Sequence, residues 1–250
     1  MSLKDSLLNP LRDQVLSGKT RTMRWRNEQL NKLSNLLDNH QQEILNALHK
    51  DLGKPPTEAF FEIVAVRQEI KLVQKNLSKW MKAKRINVPV SLQPAQAFVQ
   101  PDPLGCILII GPWNYPFSLT LQPLVGALAA GNTVVLKPSE HAPNVSNLIK
   151  KLIEKYFTQD IAQVFEGDGN TAADLMTKKF DHVFFTGGEN IGKKVMEAAS
   201  KNLTPVTLEL GGKSPAIVID GANLEVSAKR IIWGKSLNAG QTCIAPDHLL

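Results

Sequence analysis

The feature that most constrains the fold is a regular alternation of short apolar runs with helix-like segments between about residues 105 and 210. The apolar runs are CILIIG, TVVLKP, AQVFEG, HVFFTGG and TPVTLEL, and the segments between them carry apolar residues at helical spacing. Strands that are joined through helices run parallel, with right-handed crossovers. The pattern therefore predicts an α/β fold with a doubly wound parallel sheet, and ligands are expected at the carboxyl ends of its strands.

The segments on either side of this alternation have different patterns. From Met1 to about Arg85, apolar residues recur at helical spacing, which predicts amphipathic helices, one of them running from near Thr57 towards Trp80. From Ile86 to Leu104 the chain is extended and punctuated by prolines, which remove backbone donors. Such strands are expected at a sheet edge or in a protruding hairpin. The segment is interpreted either as an oligomer contact or as a plain linker.

After the alternation, PAIVID predicts a further strand, and a helix is expected near Leu224 to Leu237. A domain that began near Gly211 would have only about 40 residues, which is below the usual size of an independent core. We therefore expect the chain to be either the front portion of a longer polypeptide or a truncated form.

Composition excludes several classes of protein. With 250 residues, of which 43% are apolar, the chain is not disordered, collagen-like or a disulfide scaffold. The net charge of +6 leaves peripheral contact with a membrane surface open, but it is too common to assign a nucleic-acid partner, and we expect none. Two distant cysteines, Cys106 and Cys243, indicate reduced thiols and a cytoplasmic location. The histidines lack metal-ligand spacing, so no metal site is expected.

Three side chains at predicted strand ends or in loops suit acyl chemistry. Cys243 follows Gly-Gln-Thr in a loop, and its thiol would need a depressed pKa or a nearby base to act as a nucleophile. Glu209, at the end of TPVTLEL, is a candidate base, although alone it could equally be a surface carboxylate. Asn114, in GPWNYP, has an amide donor that suits an oxyanion. Cys106, in contrast, opens an apolar strand and is expected to be buried.

Other residues at strand ends suit a dinucleotide. HVFFTGGENIG places Gly187, Gly188 and Gly192 between a strand and a helix, where bare backbone can approach a pyrophosphate. Taken alone, this turn is about equally consistent with a phosphate site and with a tight turn. Lys137 could meet a ribose hydroxyl or a phosphate, with Glu140 close behind, or it could simply be solvated.

Taken together, these residues resemble the aldehyde dehydrogenase superfamily. Five motifs occur in the order of that family: PWNYP at 112–116, LKPSE at 136–140, FTGG at 185–188, ELGGKSP at 209–215 and GQTC at 240–243. The short N-terminal region, and CIAPDH at 243–248 in place of the commoner CxA ending, resemble the class 3 branch, which includes fatty and aromatic aldehyde dehydrogenases. One departure is Gly188, because many members have a serine there that can bond a phosphate oxygen.

The resemblance implies a role for each matched position. Cys243 would attack the aldehyde carbonyl, Asn114 and the Cys243 backbone amide would hold the oxyanion, and Glu209 would activate water to hydrolyse the thioester. The cofactor would be NAD or NADP. The residues expected to contact it are Trp113, Lys137, Glu140, Gly187, Gly188, Gly192 and Leu210. The product would be a carboxylic acid formed from a medium or long aliphatic or an aromatic aldehyde.

The resemblance also implies a domain organisation. Residues 1–85 would be the helical part of a Rossmann-like cofactor domain, 86–104 an oligomerisation hairpin, 105–210 the dinucleotide-binding domain and 211–250 the beginning of a catalytic domain. A homodimer is expected.

Two other functions remain open at this point. A thiol with a carboxylate base could act as an esterase without a cofactor. A truncated, non-catalytic protein that binds dinucleotide but completes no turnover is the alternative from a different class.

Overall fold

The computed structural model describes residues 5–250 of the chain. The first four residues, which belong to the predicted N-terminal helical segment, lie outside the described residues. The α-helices are α1 (Asn9–Leu16), α2 (Met23–Asn39), α3 (Gln41–Leu52), α4 (Pro56–Trp80), α5 (Ser118–Ala129), α6 (Pro143–Tyr156), α7 (Gly169–Met176), α8 (Glu189–Ser200) and α9 (Leu224–Ser236). Short 3-10 helices span Asp5–Leu8, Lys19–Arg21, Val90–Leu92 and Leu237–Gly240.

The strands form one large sheet and two small ones. They are β1 (Lys84–Ile86), β2 (Ala97–Val99), β3 (Cys106–Ile110), β4 (Thr133–Lys137), β5 (Ala162–Val164), β6 (His182–Gly187), β7 (Val206–Leu210), β8 (Pro215–Ala216) and β9 (His248–Leu249). The large sheet has the order β5-β4-β3-β6-β7, and all of its neighbouring strands are parallel. The chain leaves β3 in one direction to β4 and β5 and later returns to its other side as β6.

Both faces of the large sheet are covered, as a doubly wound sheet requires. Side chains of β3 alternate between two cores: Ile107 and Ile109 belong to one, and Cys106 and Leu108 to the other. The first core is lined mainly by α2 to α6, and the second by α1, α7 and α8. Because both faces are buried, the central strands are continuous apolar runs rather than alternating ones. The predicted fold class is confirmed.

The N-terminal helices α2, α3 and α4 belong to the first of these cores, and α1 belongs to the second. α4 begins at Pro56, where proline is tolerated because the first helical N–H groups have no partner within the helix, and it ends at Trp80 as the sequence predicted. Its buried stripe includes Ile63, Val66 and Ile70. One member of that stripe, Glu62, is charged. No helix within residues 5–250 combines the length and the apolar character that crossing a membrane requires.

A hairpin forms at the proline-punctuated segment, but its first strand begins at Lys84, before the predicted start at Ile86. β1 and β2 pair antiparallel, with Lys84 opposite Val99 and Ile86 opposite Ala97, and they form a separate two-stranded sheet. Phe98 and Val99 are more than half exposed. The prediction of a hairpin is confirmed, and its role in oligomerisation stays a prediction.

The predicted strand PAIVID is shorter than expected. Only Pro215 and Ala216 form strand β8, which pairs with β9. Ile217 and Ile219 are 68% and 72% exposed. A strand needs a hydrogen-bonded partner along its length, and β8 pairs only with the two residues of β9. The prediction of a strand over the whole run was wrong beyond Ala216.

Candidate active site

A cleft of about 830 Å³ lies at the carboxyl ends of β3, β4, β6 and β7. Its volume is within the range of small-molecule and cofactor sites. The order of the sheet reverses between β3 and β6, and ligands of doubly wound sheets bind at such a switch point. The location therefore matches the one expected from the alternation of strands and helices.

Nearly all of the predicted site residues line this cleft. They are Trp113, Asn114, Lys137, Glu140, Gly187, Gly188, Glu209, Leu210 and Cys243. Gly192 is the exception among the predicted residues. It lies inside α8, where an added Cβ would be 3.0 Å from Leu210 Cδ2, so the structure gives it a packing role between helix and sheet.

The two cysteines have opposite environments. Cys243 is exposed in the loop that follows the 3-10 helix Leu237–Gly240. Cys106 is fully buried, and burial raises the pKa of its thiol to about 12. The expectation that Cys106 is a core residue is confirmed, and Cys243 is the thiol that a substrate in the cleft could reach.

The side chain of Asn114 is held against the cysteine loop. Its Nδ2 donates to the carbonyl oxygen of Gln241 at 2.9 Å. An amide nitrogen carries two hydrogens, so this bond orients the group and leaves one N–H free to donate to a ligand. The backbone oxygen of Asn114 is also fixed, because it accepts from Lys54 Nζ at 3.0 Å and from Asn238 Nδ2 at 2.8 Å.

The cysteine loop has an uncommon backbone conformation. Asn238 and Ala239 have φ values of 52° and 55°, in the left-handed region that non-glycine residues rarely adopt. Asn238 is buried, and its hydrogen bonds offset the cost of this backbone conformation. Its backbone N–H donates to Glu58 at 2.8 Å, and its side chain donates to the backbone oxygens of Asn114 and Gln241. These bonds hold the loop against α4 and against the GPWNYP loop.

Glu209 lies near the end of β7, opposite Thr186 of β6. Its side chain is exposed to the cleft, and no ion pair with another residue in the part of the chain described here restrains its carboxylate. An unpaired carboxylate can accept a proton from water without first breaking a salt bridge. Its position and freedom suit a general base.

Lys137 and Glu140 form an ion pair at the edge of the cleft. Lys137 ends β4 and is nearly fully buried, and its Nζ lies 2.6 Å from Glu140 Oε2. Partial burial opposes the charge of Glu140, but the hydrogen bond and charge of Lys137 outweigh it and lower the pKa of this carboxyl. The pair thus offers a cation with spare donors and an ionised acceptor to a ligand.

The turn between β6 and α8 fits a dinucleotide. Gly188 precedes the twelve-residue helix α8 and makes no side-chain cap, so the first backbone N–H groups of that helix are available to an anion. A Cβ added at Gly188 would meet no atom within 4 Å, which means that the backbone there faces open space at the cleft. Together with Lys137 and Glu140, this turn offers phosphate donors and hydroxyl partners in one cleft.

The structure adds residues that the sequence reasoning missed. Tyr115 Oη lies 2.7 Å from Thr242 Oγ1, which links the GPWNYP loop to the residue before Cys243. Below them, Lys54 and Glu62 form a buried ion pair. Glu62 could have been noticed as a charge on the apolar stripe of α4, whereas Lys54 lies in the Gly-Lys-Pro-Pro segment between α3 and α4, where no local pattern indicates a buried charge.

Comparison with known protein families shows to which family the chain belongs. A family model described as "Aldehyde dehydrogenase family" matches residues 14–250. The chain is a member of the aldehyde dehydrogenase family. The resemblance seen in the five motifs is thereby confirmed, and neither the esterase nor the non-catalytic alternative is favoured.

Individual proteins similar to this chain are also named as aldehyde dehydrogenases. The 4,4'-diaponeurosporen-aldehyde dehydrogenase of Staphylococcus aureus (strain NCTC 8325 / PS 47) is 48% identical over 233 residues, which are 93% of this chain and 51% of that protein. The mouse (Mus musculus) "Aldehyde dehydrogenase, dimeric NADP-preferring" is 45% identical over 251 residues, covering 100% of this chain and 55% of that protein. Other relatives are named as members of aldehyde dehydrogenase family 3, in line with the class 3 resemblance.

A solved structure agrees as well. The structure titled "Substrate bound state of Staphylococcus Aureus AldH" superposes with a TM-score of 0.96 at 44% identity, covering 100% of this chain and 55% of that one. The chain spans about half the length of the curated relatives that it matches.

Proposed function

We propose that the protein oxidises an aldehyde to a carboxylic acid with NAD or NADP, and that Cys243, Asn114 and Glu209 carry the chemistry. The single observation that carries the proposal is that a thiol, an oriented amide donor and an unpaired carboxylate line one cleft. Membership of the aldehyde dehydrogenase family supports it.

In the first step, the Cys243 thiolate forms a bond to the carbonyl carbon, and the carbonyl π electrons move onto oxygen. The free N–H of Asn114 and the backbone N–H of Cys243 donate to this oxyanion. Loss of one such donor typically lowers the rate about 100 to 1,000-fold. The bond from Asn114 to Gln241 supports this role, because it orients the donor before the substrate arrives.

Collapse of the oxyanion would then expel hydride from the former carbonyl carbon to a bound nicotinamide and leave a thioester on Cys243. In the second step, Glu209 takes a proton from water, and the oxygen attacks this thioester. The carbon–sulfur bond breaks, which releases the carboxylic acid and restores the thiolate. General-base catalysis of this kind contributes about 100 to 10,000-fold. The absence of an ion pair at Glu209 within residues 5–250 supports the assignment.

The cleft would hold the cofactor through its β4 and β6 edges. Gly187, Gly188 and the first turn of α8 would contact the phosphates, and Lys137 with Glu140 would contact the adenine ribose. Trp113 and Leu210 would line the remainder of its site. A bound nicotinamide supplies an acceptor for the hydride that leaves the aldehyde carbon. We propose that both NAD and NADP are used: Glu140 opposes a 2′-phosphate, whereas the mouse relative is named NADP-preferring.

The proposal also includes a substrate class, a cellular location and an oligomeric state. The substrate is a medium or long aliphatic or an aromatic aldehyde. The relative named 4,4'-diaponeurosporen-aldehyde dehydrogenase supports an organic aldehyde as the substrate. The protein acts as a cytoplasmic homodimer, which the free cysteines and a relative named dimeric support. The exposed apolar residues of the β1–β2 hairpin are suited to the dimer contact.

We also propose the domain division 1–85, 86–104, 105–210 and 211–250. The shared core of the N-terminal helices with the large sheet supports joining the first and third segments in one cofactor domain.

The test is a kinetic panel on the full-length protein. Reduction of nicotinamide is followed with aliphatic and aromatic aldehydes of increasing length, each with NAD and with NADP. Cys243→Ala should abolish turnover, and Asn114→Ala should lower kcat about 100 to 1,000-fold. Glu209→Gln should slow hydrolysis so that a thioester accumulates on Cys243, which is detectable by mass spectrometry. Unchanged turnover in Cys243→Ala would refute the proposal.

A second assay separates the alternatives. The same protein is given an activated ester in the absence of nucleotide. Ester cleavage without any aldehyde-dependent nicotinamide reduction would favour the esterase. Dinucleotide binding without either reaction would favour a non-catalytic protein.

A further inference from the structure

A buried ion pair lies beneath the proposed active site. Lys54 is 2% exposed and Glu62 is 1% exposed, and Lys54 Nζ lies 2.5 Å from Glu62 Oε1. Burying two charges is costly, and such pairs are often no more stabilising than apolar residues of similar volume. The other contacts of the two side chains indicate a role besides net stability.

Glu62 holds the start of α5. Its Oε2 accepts from the backbone N–H groups of Phe117 and Ser118 at 3.0 and 2.9 Å. The N-cap residue Phe117 has no side-chain acceptor of its own, so a carboxylate from α4 satisfies the orphan donors of α5. This fixes the end of the GPWNYP loop that leads into α5.

Lys54 holds the other part of that loop. Its Nζ donates to the backbone oxygen of Asn114 at 3.0 Å and lies 4.0 Å from the centre of the Tyr115 ring. Lysine has three donors and no acceptor, so Glu62, Asn114 and the ring face account for all of them. The backbone of Lys54 is itself held, because its oxygen lies 3.1 Å from His49 Nδ1 of α3.

Tyr115 then reaches the cysteine loop. Its hydroxyl lies 2.7 Å from Thr242 Oγ1, one residue before Cys243. The Asn114 side chain reaches the same loop at Gln241. Lys54 therefore contacts both residues through which the GPWNYP loop touches the loop of the nucleophile. Neither Lys54 nor Glu62 is among the described residues that line the cleft, so any effect on the reaction passes through other groups.

From this geometry we propose that Lys54, anchored by Glu62, is a positioning residue that sets the Asn114 amide against the Cys243 thiol. The inference rests on the proposed function. Both reacting groups sit on loops, and a misplacement of about 1 Å can lower a rate on the order of 100-fold. The pair supplies a fixed point for both loops from α3, α4 and α5.

The test compares two buried cations. Lys54→Met removes the charge that holds Asn114 and Tyr115, and Lys54→Met/Glu62→Gln removes both charges so that none is left unpaired. Arg26→Met is the matched control, because Arg26 is also a buried cation that donates to backbone oxygens, those of Thr20 and Ala129, and it does not line the cleft. Steady-state kinetics, dinucleotide affinity and melting temperature are measured for each.

The expected result is a loss of kcat of about 10 to 100-fold in both Lys54 variants, with dinucleotide affinity unchanged. Arg26→Met should keep kcat within about twofold at a comparable loss of melting temperature. If kcat follows melting temperature equally in all three variants, or is unchanged in the double variant, the positioning role is refuted.

Hydrogen exchange gives a readout that does not depend on turnover. The amides of Tyr115, Phe117 and Ser118 and those of Gln241–Cys243 should exchange faster in Lys54→Met than in the wild type, and Arg26→Met should leave them unchanged. An inactive wild-type protein would refute the proposed function, while exchange would still report whether Lys54 holds the two loops. Unchanged exchange in an active protein would refute the positioning role alone.

Discussion

The two cysteines should differ greatly in their reaction with iodoacetamide, because only the thiolate reacts. With a pKa of about 12, roughly one Cys106 thiol in 10,000 is ionised at about pH 8. A free cysteine in solution, with a pKa of about 8.5, is about one-quarter ionised at that pH. Ionisation alone therefore slows Cys106 on the order of 1,000-fold relative to free cysteine, and its complete burial slows it further.

The assay is a time course of labelling, with the two cysteine peptides quantified by mass spectrometry and free N-acetylcysteine as the rate standard. Cys243 should be labelled in step with the loss of aldehyde oxidation, while Cys106 stays unmodified. The Cys243→Ala protein should take up label only in concentrated guanidinium chloride, where Cys106 becomes accessible. Labelling of native Cys106 within about tenfold of the rate of N-acetylcysteine would refute the reasoning from burial.

Three further predictions concern stability. Gly131 has φ 85°, and an added Cβ would lie 2.7 Å from the backbone oxygen of Thr20, so Gly131→Ala should lower the free energy of unfolding by about 2–4 kcal/mol in urea titrations. Burial lowers the pKa of His182, so the stability that its neutral ring contributes is complete above about pH 6.5 and is lost as the pH falls towards the folded-state pKa. His182→Gln should therefore show a smaller fall in melting temperature between about pH 7 and pH 5 than the wild type, and an equal fall would contradict this. Lys54→Met or Glu62→Gln alone should cost about 3–5 kcal/mol, and the double change less than the sum of the two; additive losses would argue against the pairing.

The sequence predicted the large sheet well because its strands are buried on both faces. CILIIG and TVVLKP became β3 and β4, each with all five residues buried. Such runs carry their own signal, and the helices between them dictate parallel pairing. PAIVID carried the same local signal but forms a strand over only two residues. The prediction failed because no local pattern reveals whether a partner strand exists.

The residues of the candidate site likewise include some that the sequence predicted and one that only the packing of the structure could assign. Cys243, Glu209 and Asn114 were chosen from their chemistry and their places at strand ends or in loops. The topology of a parallel sheet brings Glu209 and Asn114 to one edge, whereas hydrogen bonds from Asn114 and Tyr115 hold the Cys243 loop there. Gly192 carried the same glycine signal as Gly188, but only the packing of α8 on Leu210 distinguishes them.

What the sequence determined by itself was therefore the class of fold and the edge of the sheet where the candidate site lies, because periodicity and residue chemistry are local properties. The tertiary structure alone decided how the residues of that site are held. Lys54 lies 60 positions from Asn114 along the chain, and Asn114 lies 127 from Gln241, yet they are in hydrogen-bond contact. Contacts over such separations depend on how whole helices pack against the sheet, and no local pattern of residues contains that information.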